Sequence, residues 1–297
     1  MKVFVKINIL FVVILTFFSF GIFSWVYAQG KMDDSSSTPQ RDCLYKGSLI
    51  LGYNDGERLI TPLSLVGKGK DEALWSQYEP SDLVDVDLKH MTPLYREEMG
   101  KKSITEKMSR QAYINIERLL SDARQAGIDI FIHSAYRSYE VQCYVFSKKV
   151  YGQVHKHDIY FWEALKNVND RSARPGQSEH QLGTVVDLVT FLPKFELPDK
   201  PKNSGYALEY EMYDTVAYQW LDQNAHLYGF VLSYPYFENS TDHSVPHPKT
   251  GYIFEPWHWR YIGVDYAKKF KACSGRVVLK EFLKNLSTDS QFSCVPE

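Results

Sequence analysis

The sequence predicts an α+β protein, and three observations lead there. The apolar residues Met108, Ala112, Ile116, Leu119, Leu120 and Ala123 recur at helical spacing until Gly127 ends the run. Residues 128–132, 184–191 and 257–261 have instead the β-branched and aromatic make-up of strands. A chain of 297 residues that is 44% hydrophobic and 15% aromatic has ample material for a substantial core, which excludes global disorder.

Residues 1–28 carry Lys2 and Lys6, then an apolar run over 7–26, then Val26-Tyr27-Ala28, a small-residue ending suited to signal peptidase. This reads as an export signal. The run is also near the roughly 20 residues that cross a bilayer, so an uncleaved N-terminal anchor is the competing reading, and the only membrane contact expected. In both cases the body is expected outside the cytoplasm, in the periplasm or cell envelope. Residues 29–42 are too polar to bury anything and read as a tether. With 34 basic against 36 acidic side chains and no long basic run, nucleic acid is not an expected partner. Cys43, Cys143, Cys273 and Cys294 make an even number in an exported chain. Cys273 and Cys294 are close enough to staple the C-terminal tail, but the sequence leaves the three pairings open.

Along the body, an apolar segment from Leu49 ends at Asn54-Asp55-Gly56 and suggests a first strand or hairpin. Ser103-Ile-Thr-Glu106 has the pattern of a capping box, which would start the first long helix there. The strand at 128–132 delivers Ser134-Ala-Tyr-Arg-Ser138 to its end, and a second helix is expected from Tyr139 with Ser138 as N-cap. Residues 150–177 are polar and read as a helix and a loop near the site. Residues 213–228 have a helical pattern closing at Gly229, before a strand at 230–233. The polar loop 238–250 contains His243 and His247, read as bystanders on a segment that could lie across a cleft.

The chemistry gathers at two places, Ser178-Glu-His-Gln-Leu-Gly-Thr-Val-Val-Asp187 and Phe254-Glu-Pro-Trp-His-Trp-Arg-Tyr261. His180, Asp187 and His258 offer two imidazoles and a carboxylate, a set that leaves the fourth tetrahedral position of one zinc ion open. Glu255 is left over as a base for the water held there. Pro256 interrupts regular strand pairing and turns Glu255 out of the ladder. On the strand at 257–261, His258 and Arg260 point one way, and Trp257, Trp259 and Tyr261 the other. The plainer alternative makes Asp187 a buried ion-pair partner of an arginine such as Arg260, because a lone buried carboxylate costs several kcal/mol. Arg137, at a strand-to-helix junction, is either a surface arginine paired with a carboxylate or a fork for the free end of a peptide, with Gln142 five positions on. His155 and His157, two apart in a presumed loop, have no defined common direction and are read as solvated.

These residues resemble the zinc D-alanyl-D-alanine carboxypeptidases of the VanY type, within the LAS metallopeptidases. The resemblance runs through Tyr78-Glu-Pro-Ser-Asp-Leu-Val84, Ser134 to Ser138 with Gln142, the stretch ending at Asp187, Ala217-Tyr-Gln-Trp-Leu221, Tyr228-Gly-Phe-Val-Leu-Ser-Tyr-Pro235 and Phe254 onward to Gly263, about residues 45–270. It implies a peptidase domain over 43–272 with a tail at 273–297. The implied fold is a single small antiparallel sheet with flanking helices holding the zinc site, of LAS or hedgehog-like type. It also implies zinc on His180, Asp187 and His258, and Glu255 as general base and then acid. Arg137, Gln142 and Ser178 would line the subsite for the terminal carboxylate or the carbonyl that becomes the oxyanion. The implied activity removes the C-terminal D-alanine of peptidoglycan stem peptides or precursors. L,D-carboxypeptidases, D,D-dipeptidases and endopeptidases of the same family are alternatives, and so is a wall-binding module with a structural zinc. Retention of Glu255, which a structural zinc does not need, argues against the last. Residues 194–211 and 235–251 are longer than the family's pattern and bear on substrate length.

Overall fold

The computed structural model describes residues 42–45, 48–51, 61–68, 72–93, 95–97, 105–191, 206–207, 209–238, 242–273 and 275–294. The export signal and nearly all of the tether lie outside them, as does most of the long segment 194–211. Among the described residues no helix is long and apolar enough to cross a membrane.

The main sheet is antiparallel throughout. Its order is β5 (Ile130–Ser134), β6 (Val185–Phe191), β9 (His258–Tyr261) and β8 (Phe230–Leu232), with the two-residue β7 (Tyr206–Ala207) also pairing with β6. Two separate two-stranded antiparallel sheets accompany it, the hairpin of β1 (Asp42–Tyr45) with β2 (Ser48–Leu51) and the pairing of β3 (Leu83–Asp85) with the more distant β4 (Lys107–Ser109). One face of the sheet builds the core. Ile130, Ile132, Val186, Leu188, Phe230, Trp259 and Tyr261 pack there against Ala112, Ile116, Leu119 and Leu120 of helix α1 (Arg110–Gln125). The α+β architecture and the antiparallel sheet agree with the sequence expectation.

The start of α1 does not. Residues 105–109 are not helical: Lys107–Ser109 pairs as β4, and the helix begins at Arg110. The presumed capping residue Glu106 is used elsewhere, accepting hydrogen bonds from Tyr95 Oη at 2.5 Å and the Ala135 N–H at 2.9 Å. The helix is capped from a distance instead, by Asp82, whose carboxylate accepts from the Arg110 N–H at 3.2 Å and from Ser109 Oγ at 2.6 Å.

Helix α2 (Tyr139–Lys156) begins where expected, and Ser138 Oγ accepts from the Val141 N–H at 3.3 Å. It packs against α3 (Phe161–Asn169) through Tyr139, Phe146 and Val150 on one side and Ala164, Leu165 and Val168 on the other. The helix expected over 213–228 is shorter. Thr215 caps α4 (Val216–Asn224) by accepting from the Tyr218 N–H, and a 3-10 turn, Ala225–Tyr228, follows. Gly229 then turns at φ 86°, where a Cβ would lie 2.6 Å from the Tyr261 ring.

Beyond α5 (Val264–Ala272), the C-terminal segment folds back as α6 (Leu279–Thr288). Leu279, Phe282, Leu283 and Leu286 form a second core with Val231, Ile262 and Ala267. Cys273 and Cys294 are joined by a disulfide, and Cys143 is disulfide-bonded as well.

Candidate metal centre

The working face of the sheet is set by register. Asp187 on β6 stands directly opposite His258 on β9, and Ser134 on β5 stands opposite Asp187 from the other side. Directly opposed residues share a face with their Cβ atoms about 5 Å apart, so pairing alone brings the carboxylate and one imidazole together. The second imidazole arrives from a 3-10 turn, Glu179–Leu182, that ends in the left-handed Gly183 (φ 70°) just before β6. A Cβ at Gly183 would meet Leu83 Cδ2 at 2.9 Å and Pro80 at 3.1 Å, so this tight return requires glycine twice over.

His180, Asp187 and His258 are all buried, and one ligand atom from each lies within 4.8 Å of the other two. His180 Nε2 is 3.2 Å from Asp187 Oδ2. His258 Nδ1 is 3.2 Å from Asp187 Oδ1 but without hydrogen-bond alignment, so this buried carboxylate oxygen has no hydrogen-bond partner. The other ring nitrogens are already engaged. His180 Nδ1 donates to the Ala135 carbonyl at 2.5 Å, and His258 Nε2 donates to Glu179 at 3.1 Å, which leaves His180 Nε2 and His258 Nδ1 facing each other across Asp187. An orphaned carboxylate oxygen beside two inward imidazole nitrogens fits a divalent metal, whose tetrahedral ligand atoms lie roughly 3.3 Å apart.

Glu255 Oε2 is 3.5 Å from His258 Nδ1. Burial pushes its carboxyl up to about 7, aided by the charge of Asp187 and opposed by His258. Burial alone would lower His258, yet the neighbouring Asp187 carboxylate, the hydrogen bond His258 donates to Glu179 and the charge of Glu255 raise it to about 10. Burial also works against ionised Asp187, but the two imidazoles hold it well below the ordinary carboxylate range.

Sequence reasoning missed Glu179. It is buried, its Oε1 accepts from Arg260 Nη1 at 2.5 Å, and burial notwithstanding, the Arg260 guanidinium and His258 bring it down to about 2. The alternative pairing of Asp187 with Arg260 is therefore corrected. Register sets Arg260 opposite Val185, two residues from Asp187, and Arg260 spends its other nitrogen on the Pro62 and Ser64 carbonyls at 2.8 and 2.6 Å. The available signal was an acid directly preceding the ligand histidine in Ser-Glu-His.

Arg137 lies beside the centre, with Nη2 3.8 Å from Asp187 Oδ2 and 3.3 Å from Ser134 Oγ. Gln142 braces it: its Oε1 accepts from Arg137 Nη1 at 2.8 Å while its Nε2 donates to the Ala173 carbonyl at 2.5 Å. Ser178, buried, precedes the His180 turn. Arg137, Gln142, Ser178 and Glu255 all line one open cleft of about 820 Å³ that contains the three ligand residues. His155 lies on α2 rather than in a loop and packs on the Tyr151 ring at 4.0 Å, while His157 is its exposed C-cap. His243 sits among the Tyr210, Tyr236 and Phe254 rings and His247 beside Phe237. Among the described residues, His180, Asp187 and His258 form the one group of three metal-ligating side chains.

Residues 105–264 match the family profile described as VanY, D-alanyl-D-alanine carboxypeptidase. The chain is 30% identical over 206 residues to YodJ of Bacillus subtilis, named as a carboxypeptidase, covering 69% of this chain and 62% of that protein, so it spans about three fifths of that relative's length. Among solved structures it resembles the LdcB LD-carboxypeptidase (26% identity, TM-score 0.53, 75% of this chain and 87% of that one). It also resembles a zinc-bound mutant of the vancomycin-resistance D,D-pentapeptidase VanY from a VanB-type cassette (26% identity, TM-score 0.51, 75% and 98%). With more than half of its length inside the family profile, from β4 through the strand that carries His258, this chain belongs to the VanY D-alanyl-D-alanine carboxypeptidase family.

Proposed function

We propose that the protein is a zinc-dependent carboxypeptidase that removes the C-terminal D-alanine from peptidoglycan stem peptides outside the cytoplasm. The observation that carries this reading is the convergence of His180, Asp187 and His258 with the unpaired Asp187 oxygen at their centre and Glu255 beside them. His180, Asp187 and His258 would hold the zinc, which would supply Lewis-acid activation of the scissile carbonyl and of the attacking water. Glu255 removes the proton from the attacking water and returns it to the departing amine, two duties suited to a carboxyl that burial has already pushed up to about 7. Arg137 grips the terminal carboxylate with its planar fork, and Gln142 acts through it by holding the guanidinium in place. Ser178, on the cleft wall next to the His180 turn, is assigned with them to the subsite for the terminal carboxylate or the carbonyl that becomes the oxyanion.

The test is release of D-alanine from a stem pentapeptide by the purified protein, abolished by a chelator and restored by zinc. A second reading, L,D-carboxypeptidase, is favoured by the similarity to LdcB. Product masses from defined tetra- and pentapeptides separate the two.

A further inference from the structure

Two stretches of chain that line the cleft meet at Asp170, the C-cap of α3. Arg171, Ser172 and Ala173 follow that helix, while Tyr252, Ile253 and Glu255 lead into β9. They are joined where the Ile253 N–H donates to the Asp170 carbonyl at 3.0 Å. Each stretch carries part of the site. The Ala173 carbonyl accepts from Gln142, which braces Arg137, and Glu255 is the base.

Lys68, far upstream of every residue assigned to the site, closes this junction. Its Nζ donates to Asp170 Oδ1 at 3.2 Å and to the Gly251 carbonyl, and it lies over the Tyr252 ring, 4.5 Å from the centroid. The lysine stem runs so close to Gly251 that a Cβ there would come within 3.1 Å of Lys68 Cδ. Burial works against the ammonium, and Asp170 offsets this by hydrogen bond and charge. The backbone on either side has its own anchors. The Tyr252 carbonyl accepts from the His247 N–H at 2.8 Å, and the Glu255 N–H donates to the Tyr234 carbonyl at 3.1 Å. One cation therefore touches Asp170, Gly251 and Tyr252 at once, just ahead of the base.

We propose that Lys68 is a positioning residue for the hydrolysis, fixing the segment that carries Glu255 against the segment that braces Arg137. It acts through Asp170, Gly251 and Tyr252 and touches no substrate. The inference rests on the proposed function for the reaction it serves, whereas the clamp itself is a property of the fold. A misplacement of about 1 Å can cost ~10²-fold in rate, so a partial loosening of Glu255 should cost about tenfold in kcat.

Lys68→Met keeps the stem and removes the charge, Asp170→Asn breaks the same ion pair from the other side, and Lys68→Arg keeps a cation in place. D-alanine release from a stem pentapeptide, zinc content and amide hydrogen exchange are measured for each at a temperature where it is folded. Lys68→Met and Asp170→Asn should each lose about tenfold in kcat, with KM within about twofold of wild type and one zinc per chain, and Lys68→Arg should recover most of the loss. Exchange should quicken about tenfold over residues 251–255 in the two neutral variants and stay unchanged over α1. Should one neutral variant fail to fold, the other tests the same contact. An unchanged kcat, zinc lost along with rate, or exchange that quickens equally in α1 overturns the inference. Wild-type protein that releases no D-alanine overturns the proposed function instead, and the exchange comparison still decides the clamp.

Discussion

Asp187 and Leu188 are neighbours on β6, both buried, and they look into opposite layers of the molecule. On the Leu188 side, Val186, Trp259 and Tyr261 meet helix α1 in an apolar core. On the Asp187 side, the same two strands carry His258 and Arg260, with Glu179 beneath them. Burial is equal in kind, but its purpose differs. The apolar face is hidden because hiding it stabilises the fold, and the polar face is hidden because each charge has a partner that makes burial tolerable. The same degree of burial should therefore fail in different ways when altered.

The largest effect is expected where the polar face is structural. Arg260→Leu leaves Glu179 as a buried carboxylate without its counter-charge, and chemical denaturation should show a loss of about 3–5 kcal/mol. Leu188→Ala opens the apolar face and should cost about 2–5 kcal/mol by the same measurement, while the folded protein still binds one zinc per chain. Glu255→Gln should leave stability and zinc content close to wild type but lower kcat by ~10² or more, roughly 2.7 kcal/mol of transition-state stabilisation. An equal loss of stability in all three proteins would erase the distinction between the faces.

The smallest effect is in pH. Because burial raises the Glu255 carboxyl, it is protonated and idle as a base below its pKa, so kcat/KM should rise with pH toward a plateau. A zinc ion nearby favours the ionised form, which places the midpoint of that ascending limb at or below about 7. The limb should be absent from the residual activity of Glu255→Gln. Its persistence there would assign it to another group.

What the sequence could reveal follows the range of the interactions. Periodicity is local, so the core residues of α1, the Ser138 cap of α2 and the alternation of β9 were legible. The ligand set was legible as well, because its residue types are chemically distinctive and only a few combinations offer two imidazoles, a carboxylate and a spare acid. Partnerships fixed by strand register were not. Nothing near Glu106 announces that it will serve the Ala135 N–H and Tyr95 rather than its own helix, and nothing near Arg260 places it on Glu179 rather than Asp187. The C-terminal tail is the same case: α6 is amphipathic by itself, but its apolar side finds its partners on β8 and α5, more than ten residues away.

The most direct measurement is zinc content paired with D-alanine release in the wild-type protein, Glu255→Gln and His180→Ala, all confirmed as folded. One zinc per chain is expected in the first two and much less in the third, with D-alanine released at full rate by the wild-type protein alone and at least about 10²-fold more slowly by Glu255→Gln. Full release from chelator-stripped wild-type protein, or a stoichiometric zinc retained by folded His180→Ala, would contradict the assignment of these side chains to a catalytic metal.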